Sequence, residues 1–271
     1  MEHKKMKRKL AMVTGGSAGI GLEIARLLAQ DQYDLLLVGA SSRVFEAAES
    51  LAQYGTQVSA LQADLSTEAG NQALLDAVKH SGRPLDVAVL NAGIAIGGAF
   101  IDNPLDRHLQ LLALNITSPV RLTYGLLPDM IAQGGGKFLF VSSLSATTPT
   151  PYESVYGPSK AFLTSFANSI REELKEQGIQ ITTLHPGATA TEFHARAGMQ
   201  TTAFGDNSWK NSPELVAKQG YEALQAGKTN VVGGDETTQQ AWVANRSMDE
   251  EEKARIHAER AMPNSPLQRG V

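Results

Sequence analysis

A doubly wound α/β protein is the fold this sequence predicts: a parallel sheet of about seven strands with helices on both faces. Three observations predict it. Strand-like runs alternate with helical periodicity along nearly the whole chain. The runs are continuously apolar, as strands covered on both faces should be. A glycine-rich stretch stands between the first strand and the first helix, where such sheets hold ligands.

Leu10-Ala11-Met12-Val13-Thr14 reads as a buried strand, and Ile20, Ile24, Leu27 and Leu28 repeat at helical spacing after it. Leu35 to Val38 is the second strand, followed by a helix through Val44, Ala47, Ala48 and Leu51. Gln57 to Leu61 is the third, with Ser66 or Thr67 capping a helix through Leu74, Leu75 and Val78. Asp86 to Leu90 is the fourth, ahead of a helix through Leu105, Leu109, Leu112 and Ile116. Lys137 to Val141 is the fifth, Ile179 to Leu184 the sixth and Asn230 to Gly233 the last. The helix between the fifth and sixth carries Tyr156 and Lys160 and starts near Glu153 or Ser154, so that Pro158 falls where helical N–H groups lack partners anyway. Ser212-Pro213-Glu214 is a strong helix start. Ser247-x-x-Glu250 reads as a capping box for a polar C-terminal helix.

Composition narrows the function. The 271 residues carry a net charge of −4, which gives no reason to expect nucleic acid, and no cysteine, which excludes disulfides and thiolate chemistry. No metal site is expected. No run approaches the roughly 20 apolar residues that span a bilayer, and a cytoplasmic location is the default. Residues 1–9 read as a basic, disordered tail. Residues 10–271 read as one dinucleotide-binding catalytic domain with a helical extension from about residue 235.

Gly15-Gly16-Ser17-Ala18-Gly19-Ile20-Gly21 is a candidate phosphate site. Glycines let the backbone approach a ligand, and the helix amino end offers free N–H groups and partial positive charge. After the second strand, where NAD-binding folds place an acid for the ribose, Gly39-Ala40-Ser41-Ser42-Arg43 has none. Ser41 and Arg43 offer a donor and a charge to a 2′-phosphate, so NADP is favoured and NAD remains possible; the plainer alternative has Arg43 starting a helix and facing water. Asp64 is either a ligand contact or a loop carboxylate.

Tyr156 and Lys160 fall about one turn apart on a helix face. A free phenol, with a reference pKa of about 10, is a poor acid near neutral pH, and a neighbouring cation lowers that value. Tyr156 is thus a candidate proton donor or acceptor. Ser143, just past the fifth strand, is a candidate donor to a substrate oxygen. The Tyr-x-x-x-Lys spacing gains its weight from the glycine stretch upstream.

Over residues 8–235 the chain resembles the short-chain dehydrogenase/reductase family, in its compact single-domain, Rossmann-like branch. Thr14 to Gly21 is similar to its cofactor loop, Asp64-Leu65 to its adenine contact, and Asn91-Ala92-Gly93 to its structural triplet beside the cofactor. Asn115, Ser143, Tyr156 and Lys160 resemble its catalytic four. Pro186-Gly187 with Thr189 and Thr191 resembles the segment holding the nicotinamide amide. Ala40 departs from the pattern, standing where many NADP-dependent members place Arg, and Pro158 replaces a usually small residue.

The resemblance implies hydride transfer between a nicotinamide cofactor and a carbonyl or secondary alcohol. Tyr156 acts as acid/base, Lys160 also bonds the nicotinamide ribose, and Asn115 keeps a water beside Lys160. It also implies a homodimer or homotetramer. Thr191 to Trp209 is expected to form a lid, with Phe193, His194, Met199, Phe204 and Trp209 available to line an apolar substrate site; ordinary loop packing is the alternative. His185 is expected to pack behind the Pro-Gly turn. A non-catalytic NADP-binding sensor or scaffold is the competing function.

Overall fold

The computed structural model describes residues 8–264. Residues 1–7, most of the expected basic tail, lie outside the described residues, as does the end of the extension from 265 onward. At the end of that stretch Arg8 Nη1 donates to the Gly55 carbonyl at 2.6 Å and its Nη2 to Gln32 Oε1 at 3.1 Å. Lys9 lies 6.0 Å from the Tyr33 ring centroid.

Seven parallel strands form one sheet: β1 (Leu10–Thr14), β2 (Asp34–Gly39), β3 (Val58–Gln62), β4 (Val87–Leu90), β5 (Gly136–Val141), β6 (Ile179–Pro186) and β7 (Asn230–Gly233). Their order is β3-β2-β1-β4-β5-β6-β7. The order reverses between β1 and β4, the place where such sheets hold ligands beyond the strands' carboxyl ends.

The helices are α1 (Gly19–Gln30), α2 (Arg43–Leu51), α3 (Glu68–His80), α4 (Leu105–Leu112), α5 (Ser118–Ala132), α6 (Tyr156–Leu174), the short α7 (Phe193–Arg196), α8 (Pro213–Gln225), α9 (Glu236–Ala244) and α10 (Glu250–Ala261). Strand alternation divides the core between two faces. Ala11, Val13, Leu35, Leu37, Val87 and Val89 pack with Ile24 and Leu28 of α1, Val44 of α2 and Val216 of α8. Met12, Leu36, Val38, Ala88, Phe138 and Phe140 pack with Leu74 of α3, Leu122 of α5 and Leu163 of α6.

Local chemistry sets several boundaries. Thr67, not Ser66, caps α3 by accepting the Gly70 N–H at 3.0 Å. Ser212 caps α8 by accepting the Leu215 N–H at 3.2 Å. The Ser247 capping box does not form. Asp249 caps α10 by accepting the Glu251 N–H at 2.8 Å, because Ser247 turns back to the Ala244 carbonyl. The helix expected to run through Ile116 instead passes into a π-helical turn, Ala113–Thr117, and continues as α5. α6 begins at Tyr156, later than Glu153 or Ser154, which keeps Pro158 in the first turn. Among the described residues no helix is long and apolar enough to cross a membrane, and no cluster of His, Asp and Glu could hold a metal ion.

Candidate active site

α1 starts without a side-chain cap. Its N-cap is Ala18, and the first helical bond runs from Leu22 N to the Ala18 carbonyl at 3.3 Å. The N–H groups of Gly19, Ile20 and Gly21 therefore have no carbonyl within the helix. A Cβ on Gly21 would lie 2.4 Å from both the Gly15 carbonyl oxygen and Asn91 Nδ2. Only glycine allows this approach. Asn91 closes the loop from the other side, its Nδ2 donating to the Thr14 and Gly15 carbonyls at 3.0 and 3.1 Å. Thr14 Oγ1 accepts the N–H groups of Asn91 and Ala92 at 3.0 and 3.1 Å, joining the ends of β1 and β4. Ser17 Oγ lies at the end of β2, 3.4 Å from where a Gly39 Cβ would stand.

The acid–base candidates converge past β5. Tyr156 is buried, with the Ser143 hydroxyl beside its phenol. Ser143 Oγ also accepts the Ser145 N–H at 3.0 Å. Lys160 Nζ lies 5.8 Å from the Tyr156 ring centroid and donates to the Val141 carbonyl at 2.8 Å. Burial holds Lys160 down at about 8. Burial likewise pushes the Tyr156 phenol above its ordinary value, opposed by the neighbouring Ser143 hydroxyl. The expected acidification by Lys160 is thus outweighed: the phenol sits in an apolar cluster with Ile94, Val155 and Phe193, and Nζ is turned toward Val141.

Asn115 is buried in the π turn, a distortion that often marks functional positions. Its Oδ1 accepts the Ile94 N–H at 3.0 Å, and its Nδ2 donates to the Ile94 carbonyl at 2.9 Å and to Ser159 Oγ at 3.0 Å. Both amide protons are thus engaged, leaving one Oδ1 lone pair for a water. A Cβ on Gly93 would lie 3.2 Å from that Oδ1 and 3.3 Å from Lys160 Nζ, so Gly93 leaves the space between them.

The adenosine side is less settled. Ser41 and Arg43 are exposed beyond β2, but Arg43 is not free. Its Nη1 and Nη2 donate to Glu192 at 2.7 and 3.3 Å, and Arg196 holds the same carboxylate. Asp64 accepts the Ser66 N–H and hydroxyl at 2.9 and 2.7 Å, the loop arrangement the sequence left open, while Leu65 is buried.

Pro186 and Gly187 end β6, and Thr189 Oγ1 donates back to the Gly187 carbonyl at 2.9 Å. Thr191 reaches the glycine loop, its Cγ2 3.0 Å from where a Gly19 Cβ would stand. Of the lid aromatics, Phe193 meets Tyr156, with ring centroids 5.4 Å apart. Met199 and Phe204 are buried, His194 stacks on Phe204 at 5.0 Å, and Trp209 is half exposed. Burial pushes the His194 imidazole down to about 3. His185 is fully buried against Trp242, with Nε2 3.0 Å from Asn230 Oδ1, the packing role expected of it. Sequence reasoning missed Glu192, Ser159 and the Glu153–His257 pair described below, since no local spacing links them to the site.

A glycine loop at a helix amino end, at the point where the strand order reverses, and a buried Ser/Tyr/Lys group fit a dinucleotide-dependent oxidoreductase class. The family model for short chain dehydrogenases matches residues 9–201, and the chain belongs to that family. It is similar to the uncharacterized oxidoreductase YmfI of Bacillus subtilis, 35% identical over 68% of this chain and 76% of that protein. Among solved structures it resembles a short-chain dehydrogenase from Sphingobium yanoikuyae in complex with NADPH, with a TM-score of 0.78, 27% identity, and 83% and 87% of the two chains covered. It also resembles the L-sorbose reductase of Gluconobacter frateurii complexed with NADPH and L-sorbose, with a TM-score of 0.73, 28% identity, and 84% and 96% covered. The glycine loop, closed tightly at Gly21, and the uncapped amino end of α1 fit the pyrophosphate of such a cofactor.

Proposed function

We propose that the chain is an NADP-dependent reductase of apolar carbonyl compounds, with Tyr156 as proton donor. The observation that carries this reading is the buried phenol of Tyr156, with the Ser143 hydroxyl beside it and Lys160 behind its ring. Two solved relatives bind NADPH, and no acid follows β2 to repel a 2′-phosphate. The cofactor, when bound, supplies the hydride.

The chain's own residues do the rest. Gly15, Ser17, Ala18 and the N–H groups of Gly19 to Gly21 hold the pyrophosphate. Ser41 and Arg43 meet the 2′-phosphate, and Asp64 and Leu65 border the adenine. Pro186, Gly187, Thr189 and Thr191, with Asn91, Ala92 and Gly93, frame the nicotinamide end. A phenol pushed up by burial stays protonated at neutral pH, the form that gives a proton to a developing alkoxide. Ser143 holds the substrate oxygen. Lys160 stabilises the phenolate left behind and bonds the nicotinamide ribose. Asn115 Oδ1 holds a water that reprotonates the site past Gly93. Ile94, Val155 and Phe193 around the phenol favour an apolar substrate and exclude water.

We further propose a cytoplasmic homo-oligomer. Leu105 and Leu109 of α4, Tyr124 of α5 and Phe162 of α6 leave apolar surface exposed.

Mixing the protein with NADPH, then NADH, and a panel of ketones and aldehydes tests the reading by cofactor absorbance. Faster consumption of NADPH with apolar carbonyls is the expected result. Tight binding without consumption across the panel would instead identify a sensor.

A further inference from the structure

The C-terminal extension brings a buried imidazole to the base of α6. Glu153 is 2% exposed, and its carbonyl accepts the Tyr156 N–H at 2.9 Å. The same carbonyl accepts the Thr150 hydroxyl at 2.9 Å, and Thr150 Oγ1 accepts the Gly157 N–H at 3.2 Å. The first turn of α6 therefore hangs on the Glu153 peptide. Among the described residues Glu153 Oε1 has no hydrogen-bond partner. The other oxygen, Oε2, lies 3.2 Å from Nε2 of His257, itself buried in α10. A carboxylate removed from water is costly unless hydrogen-bonded, and the imidazole answers that need.

We propose that His257 is a positioning residue for Tyr156: its Nε2–H donates to Glu153 Oε2 and fixes the turn that aims the phenol at Ser143. This rests on the reading of Tyr156 as proton donor.

The rest of the extension grips the same region. Asn245 Nδ2 donates to Thr147 Oγ1 at 2.8 Å, and Lys253 Nζ to the Thr147 carbonyl at 3.3 Å, in the turn that follows Ser143. Ala261 packs in the Tyr156 cluster, and Asn264 N donates to the Thr201 carbonyl at 2.8 Å, beyond Phe193. α9 and α10 thus tie down the segments that carry Ser143, Tyr156 and Phe193. They lie outside residues 9–201, the stretch matched by the family, so this brace is a feature of the extension.

The test compares full-length wild type with His257→Leu, His257→Gln, His257→Asn and Tyr156→Phe, reading kcat on a carbonyl the wild type reduces and NADPH affinity by fluorescence. His257→Leu should lower kcat on the order of tenfold, the loss expected for one buried hydrogen bond to a charged group, with NADPH affinity unchanged. Glutamine, whose amide nitrogen falls near the imidazole Nε2, should restore most of that rate. The shorter asparagine should not. Wild-type kcat in His257→Leu, or equal rates for the Gln and Asn variants, would overturn the proposal. If the leucine variant does not fold, the Gln and Asn pair alone decides. Full turnover in Tyr156→Phe would instead remove the reading beneath it, whereas an inactive Tyr156→Phe beside unaffected His257 variants would sink only the role of His257.

Discussion

Arg43 shows how a residue's chemistry is settled by a distant partner. From its position past β2 it suits a 2′-phosphate, yet in the folded chain it holds Glu192 from the segment after β6. A 2′-phosphate and Glu192 compete for one guanidinium, and Arg196 remains to receive the displaced carboxylate. Glu192→Gln should therefore tighten NADPH binding by about 3- to 10-fold and leave NADH unchanged, since Arg43 is released and a repelling carboxylate is removed. Equal changes for both cofactors in fluorescence titrations would dismiss Arg43 as a phosphate ligand. Tyr156, Lys160 and Ser143 stood out as candidates in the sequence because a short spacing and a strand end place them, and Asn115 only through the family resemblance. The turning of Lys160 to Val141, the Arg43–Glu192 pair and the Glu153–His257 pair could not, because each joins side chains set by packing rather than by spacing.

At the level of elements, the glycine loop works through close approach. Gly21→Ala places a methyl where the Gly15 carbonyl and Asn91 amide already stand. The loop must open, and dinucleotide affinity should fall at least about tenfold, since binding depends on the helix N–H groups that the loop aims. Titration showing undiminished affinity in a folded Gly21→Ala protein would contradict that geometry. Strands were the most readable elements because continuous apolar runs bounded by turns admit few alternatives. Helix ends were harder. Ser247 and Asp249 compete for one helix start, and only the turn back to Ala244 decides it. The π turn at Asn115 left no trace in the periodicity because it shifts the helix by a single residue.

For the whole molecule, the buried Lys160 links stability to pH. Burial lowers it from 10.5 to about 8 in the folded chain. Between those values the unfolded chain holds a proton that the folded chain has shed, so raising the pH favours folding. Denaturant unfolding of the ligand-free protein should show wild type gaining stability relative to Lys160→Met by up to about 3 kcal/mol from pH 8 to 10.5. Parallel curves would mean that the ammonium is better solvated than its surroundings indicate. The doubly wound parallel sheet was legible from the alternation of elements, whereas the strand order with its reversal between β1 and β4 was not. The C-terminal brace was not: its polar helices show weak periodicity, and nothing local says where they dock.

The most direct measurement is single-turnover NADPH oxidation by Tyr156→Phe beside wild type, with cofactor saturating and a carbonyl the wild type reduces. A phenylalanine there keeps the ring packed on Phe193 and removes only the hydroxyl. The rate should fall by at least about 10²-fold while NADPH affinity holds. An unchanged rate would contradict the assignment of the proton donor.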